Sequence, residues 1–280
     1  MFYLILSILS SVAISLLMRV SEKYSKNNMG MFMANYAVCA LMSVLYMEET
    51  QIFVKAEGIQ LAVILGILSG IMYLVNFVLM QVNMRHNGVA LTSTFMKLGV
   101  LVPTLMAIVV FHEMPTVFQI LGFILAVGAI ILIHFDQSTG KAEKKAGNLL
   151  LIILLFSGMT DSMANIYEKT GASALKDHYL LYTFFAALIL AFILALRKKQ
   201  KITVWDIIFG ILIGIPNYFS ARFLLLALGA IPAVVAYPVC SVTIIILISL
   251  AGMLLFKEKI SKRKMGALGI ILLALVLLNL

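Results

Sequence analysis

Charge is scarce in this chain. Asp, Glu, Lys and Arg make up 12% of its 280 residues, about half the share with which soluble domains cover their surfaces. That shortage excludes an ordinary water-soluble fold. Cysteine is scarcer still: Cys39 and Cys240 both sit inside apolar runs. A disulfide framework is therefore excluded, and both thiols read as small buried hydrophobes. His86, His112, His134 and His178 lie near the ends of apolar runs with no second ligand at metal spacing. No Gly-x-x-x-x-Gly-Lys-Ser/Thr phosphate loop is present, which argues against ATP-driven work by this chain alone. No nucleophile–base pair emerges either, so neither an enzyme nor a cofactor is expected. Met1-Phe2-Tyr3 opens straight into an apolar run without a basic stretch, so a cleaved signal peptide is not expected.

What is abundant is apolar sequence, 63% of the chain. The runs are continuous and do not alternate. Lipid offers the backbone no hydrogen-bond partner, so such runs cross a membrane as helices. Ten spans follow: about 2–19, 29–46, 58–81, 87–111, 115–134, 148–168, 178–196, 204–228, 231–256 and 262–280. The expected class is an all-α membrane protein with short connections and no soluble domain. The most polar linker runs from Asp136 to Lys145 and has the composition of a flexible hinge.

The chain echoes itself. Gly66-Ile67-Leu68-Ser69-Gly70-Ile71 recurs as Gly210-Ile211-Leu212-Ile213-Gly214-Ile215, Glu22-Lys23 as Glu168-Lys169, and Phe111-His112-Glu113 as Phe256-Lys257-Glu258. The offsets differ by at most two residues. These echoes divide the chain into five-span halves, 1–140 and 147–280. An odd number of spans inserts the second half upside down, which makes an inverted repeat with a site at the midplane. The small-xxx-small glycine pairs predict close packing where spans three and eight meet.

The net charge of +9 resides mostly in short loops, so it reads as an orientation signal and not as a nucleic-acid footprint. Sixteen Lys and Arg follow odd-numbered spans and three follow even-numbered ones; Lys97 and Arg222 lie within spans. The odd loops are therefore expected in the cytoplasm and both termini outside.

Two signatures carry a family resemblance. Phe111-His112-Glu113-Met114-Pro115 runs into Gln119-Ile120-Leu121-Gly122, and Phe256-Lys257-Glu258-Lys259-Ile260 runs into Gly266-Ala267-Leu268-Gly269. With the ten-span count and the five-plus-five repeat, they resemble the drug/metabolite transporter superfamily, in particular its EamA-like members. There an acidic residue ends the fourth helix of each repeat and a glycine-containing fifth helix follows. The resemblance covers the whole chain and implies a carrier of small metabolites working by alternating access. Many members keep their termini in the cytoplasm, opposite to the charge count here.

Polar side chains within spans mark the candidate site. Lys97 lies near the middle of span four, where a lysine costs about 3 kcal/mol unless it meets water or a partner. Ser93, Thr94, Lys97 and Thr104 share its helical face. Nucleotide-sugar and sugar-phosphate members of the superfamily tend to hold a lysine in this helix against an anionic group. The alternative is a structural ion pair with Asp161. Span six carries Ser157, Asp161, Asn165 and Glu168 as a stripe, and Asp161 aligns with Ser15 of the first half. Small multidrug-resistance relatives keep a glutamate at broadly similar depth in their first helix, so the resemblance implies a coupling carboxylate. A fixed counter-ion is the alternative. Arg222, with Asn217 and Tyr218, offers a planar fork suited to a carboxylate or phosphate, or snorkels to the interface. Tyr73, Asn76 and Asn83 form the matching stripe on span three, Tyr73 aligning with Asn217 and Asn76 with Ser220. Arg19 closes a Ser11, Ser15, Arg19 stripe as a boundary charge. Pro103, Pro216 and Pro238 are candidate kinks.

Substrate-binding candidates are thus Lys97, Arg222, Asp161, Asn165, Tyr73, Asn76, Asn217, Tyr218, Ser93 and Thr94, with no metal or catalytic residue. Two bases and one acid favour an anionic or zwitterionic metabolite, such as an amino acid or a phosphorylated or sugar compound. Alternatives are a multidrug or cation exporter coupled to protons through Asp161, a membrane enzyme, or a channel. Expected partners are the substrate, the bilayer of the cell membrane, a coupling proton or exchanged metabolite, with room for a homodimer, and no nucleic acid. A reporter enzyme that is active only in the cytoplasm, fused after Leu280, is expected to be silent. Activity from that fusion would reverse the orientation.

Overall fold

The computed structural model describes residues 2–47, 54, 56–99, 101–102, 116–136, 141–197, 201–228, 233–258 and 262–278. They form helices joined by short turns, with no strand among the described residues. α1 spans Phe2–Ser21 and α2 Asn28–Leu45. Ile59–Leu98 is one helical run broken at Gly88, and the segments on either side are α3 (59–87) and α4 (89–98). α5 spans Val117–Asp136, α6 Lys141–Thr170, α7 Lys176–Arg197, α8 Val204–Leu228, α9 Ala233–Leu255 and α10 Lys262–Leu278. Among the described residues five helices have the length and apolarity to cross a bilayer, and four shorter apolar ones accompany them. The protein is an all-helical, multi-span membrane protein.

Local chemistry sets the helix starts. Asn27 accepts the Gly30 amide at 3.2 Å and caps α2. Thr116 and Gln119 exchange bonds of 3.0 and 3.2 Å at the start of α5, a capping box. Thr203 and Asp206 do the same before α8. Asp206 does more than cap. Its buried carboxylate also accepts the Ser25 hydroxyl at 2.7 Å and the Lys26 and Asn27 amides at 2.9 and 3.1 Å. It staples the α1–α2 turn to α8.

Three expectations change. The break after span three falls at Gly88, inside the predicted span four, because only there does the backbone turn left-handed, at φ +78°. The predicted hinge is helical from Lys141 onward; Lys, Ala and Glu are strong helix formers, and this outweighs the run's polarity. The glycine pairs do not join spans three and eight. A Cβ on Gly66 would meet Tyr182 Cβ and the Tyr179 carbonyl, and one on Gly210 would meet Ala34 Cβ and the Met31 carbonyl. Gly70 likewise faces Thr183 and Ala186, and Gly214 faces Asn35 and Val38. So α3 packs on α7 and α8 packs on α2. The spacing marks a face that admits close approach, not the helix that approaches.

The remaining contacts exchange in the same way. α3 packs against α6 and α7, α8 against α1 and α2, α2 against α7, and α5 against α10. The echo at Phe111-His112-Glu113 and the candidate kink Pro103 lie outside the described residues, as does the side chain of Pro238. Pro216 lies inside α8, which continues through it.

Asp206→Ala leaves buried donors unpaired and is expected to destabilise the protein by on the order of 3 kcal/mol. The melting temperature in detergent should fall, and fall less for Asp206→Asn, which retains one acceptor oxygen. An unchanged melting temperature in the alanine variant would remove the staple.

Candidate functional site

A cavity of about 220 Å³ lies between α1, α3, α4, α6, α8 and α9. That is room for several waters or for a small metabolite. Apolar side chains from α1, α3 and α9 line much of it, Ile14, Phe77 and Ile244 among them. Polar groups converge at particular points. α4 contributes Ser93 and half-buried Lys97, α6 contributes Thr160 and Asp161, α3 contributes Tyr73 and Asn76, and α8 contributes Asn217 and Ser220.

Close helix packing brings the two charges to one cavity. A Cβ on Gly99 of the α4 end would lie 2.7 Å from the Gly158 amide of α6, so these backbones touch. Lys97 and Asp161 lie two and three residues from that crossing. They act on one another electrostatically, yet no ion pair joins them among the described residues. Their charged atoms therefore lie more than 4 Å apart. Ser93 is 4% exposed and its buried hydroxyl has no hydrogen-bond partner; a buried polar group left so is costly.

The other polar groups are engaged. Ser157 donates to Asn76 Oδ1 at 3.0 Å. Ser11 and Ser220 share a bond of 2.7 Å, and Ser7 donates to the Ser220 carbonyl at 3.0 Å. Asn217 Nδ2 donates to Asn35 Oδ1 at 3.4 Å. The Tyr73 ring packs edge-on against Phe184 with centroids 6.0 Å apart.

Of the residues named from sequence, Lys97, Asp161, Tyr73, Asn76, Asn217 and Ser93 meet at the cavity. Thr94 does not line it: its side chain is buried and its hydroxyl returns to the Ala90 carbonyl at 2.8 Å. Arg222 and Tyr218 also lie off the lining. Arg222 donates to the Tyr218 hydroxyl at 3.0 Å, pairs with Asp177 at 3.7 Å and lies 5.3 Å from the Tyr46 ring centroid. Asn165 belongs to α6, but its side chain falls outside the described residues. Sequence reasoning missed Ser7, Thr160 and Cys240 in the lining. Ser7 continues the Ser11, Ser15 spacing of α1 and was visible by that signal; Cys240 carried none.

Comparison with known proteins now bears on this geometry. Residues 177–273 match the family described as Small Multidrug Resistance protein. The match covers about a third of the chain, from α7 into α10. An uncharacterized protein of Haemophilus influenzae is 27% identical, aligned over 96% of this chain and 93% of its own. The C-terminal part is thus similar to small-molecule transporters of the multidrug type, in agreement with the membrane-spanning fold.

Lys97 and Asp161 share this cavity only while α4 and α6 touch. Gly158→Leu is expected to force the helices apart and lower the melting temperature in detergent by several degrees, as overpacking does at about 1–3 kcal/mol. An unshifted melt would remove this crossing from the site.

Proposed function

We propose that the protein is a secondary transporter of a small polar metabolite, working by alternating access in the cell membrane. One observation carries the reading: Lys97, Asp161 and an unpartnered Ser93 hydroxyl meet in one cavity between six helices. An ammonium and a carboxylate, unpaired with each other, suit a zwitterionic or anionic solute that brings its own complementary groups. The small volume supports an amino acid or a compact sugar or phosphorylated metabolite. Arg222, paired at Asp177, would meet such a solute outside the cavity.

We place the chain in the drug/metabolite transporter arrangement, EamA-like, with halves 1–140 and 147–280 inverted relative to one another. The exchanged contacts support this. Gly66 and Gly210 meet matching atoms of α7 and α2. Ser157 with Asn76 joins α6 to α3, as Ser11 with Ser220 joins α1 to α8.

A second reading has its own support. The match to the multidrug family and the exposure of Asp161 to the cavity favour a cation or drug exporter coupled to protons through Asp161.

Proteoliposome flux separates the readings. For the metabolite carrier, uptake saturates, is stimulated by counter-substrate, and falls at least tenfold in Lys97→Ala at unchanged melting temperature. Unchanged flux in that variant removes Lys97 from the site. For the proton-coupled exporter, Asp161→Asn keeps exchange and loses gradient-driven accumulation, while Lys97→Ala leaves cation export intact.

A further inference from the structure

The amides that open α4 are bound by a carboxylate from the far end of the chain. Glu258, just past α9, accepts the Val89 amide at 2.7 Å and the Ala90 amide at 3.3 Å. The left-handed Gly88 admits it: a Cβ there would lie 2.7 Å from the carboxylate. Arg19, at the end of α1, reaches the same carboxylate at 3.8 Å. It also donates to Glu22 at 2.6 Å and to the Met84 carbonyl of α3 at 2.9 Å. Arg85 closes the ring on Glu22 at 3.9 Å. The Glu22 and Glu258 side chains are 11% and 12% exposed. Burial raises the Glu22 carboxyl above its ordinary value, against the lowering by Arg19 and Arg85.

This network has a fixed relation to the cavity. On four helices its members lie four residues, about one turn or ~6 Å, from a cavity-lining residue. The steps are Ser15 to Arg19 on α1, Met80 to Met84 on α3, Ser93 to Val89 on α4, and Ile248 to Gly252 on α9, whose carbonyl accepts the Glu258 amide at 3.1 Å. Four of the six helices that wall the cavity are therefore tied together about one turn beyond it, on the face of the α1–α2 and α9–α10 turns. The tie is polar and made of few bonds, unlike an apolar seam.

We propose that Glu258, held by Arg19, is the gate on this face: release of the α4 amides from Glu258 opens the cavity there. The inference rests on the transporter reading, but its readout requires no substrate, so the two can fail separately. The probe is the thiol of a Met80→Cys reporter in the full chain with Cys39→Ala and Cys240→Ala. A membrane-impermeant maleimide is applied to sealed vesicles of each orientation. Glu258→Gln is expected to raise labelling from the Arg19 face about tenfold, the change that follows when a minor open state becomes common. Labelling from the opposite face should stay level or fall. Arg19→Gln, which removes the cation that holds Glu258 against the α4 amides, should act in the same direction and keeps the test available if Glu258→Gln does not fold. Unchanged labelling in the folded variants, or an equal rise from both faces, would reduce Glu258 to a helix cap and overturn the gate.

Discussion

A peptide group inside a bilayer has no water to bond, and the architecture follows from that. Helices satisfy the backbone along their own length, so what remains to be arranged is how they touch. Apolar side chains gain little by meeting one another in lipid. Specific contact must come from close backbone approach and from polar groups that find partners across helices. Both devices appear here. Glycines let α3 approach α7 and α8 approach α2, and serines and asparagines bridge α6 to α3 and α1 to α8.

The same constraint separates structural polar groups from available ones. Asp206 is buried and saturated by Ser25, Lys26, Asn27 and Thr203. The Ser93 hydroxyl has no partner, and Lys97 and Asp161 feel one another across the same cavity without a close ion pair among the described residues. A sequence shows which residues are polar. Only the fold shows which ones have been answered.

Legibility divides along that line. The spans were readable because their signal, a continuous apolar run, is local. Lys97 and Asp161 were readable because a charge within such a run demands a reason. The α3–α4 break was misplaced because Gly88 follows His86 and Asn87, and the polar cluster hid which residue turns left-handed. The glycine pairs had the right spacing and the wrong partners, since a helix face does not name its neighbour. Arg222 was assigned to the cavity because Asp177 and Tyr46, which hold it, are far away in the chain. Glu258 was noted as a family mark, but its role at the start of α4 spans 169 residues and had no local trace.

α5 and α10 pack chiefly on each other, away from the polar hollow. One closes the first half of the chain and the other closes the second. Among the described residues no side-chain hydrogen bond joins them, so apolar packing carries this seam. In the proposed transporter such a seam would act as a constant suture, holding together the last helices of the two halves while the others shift.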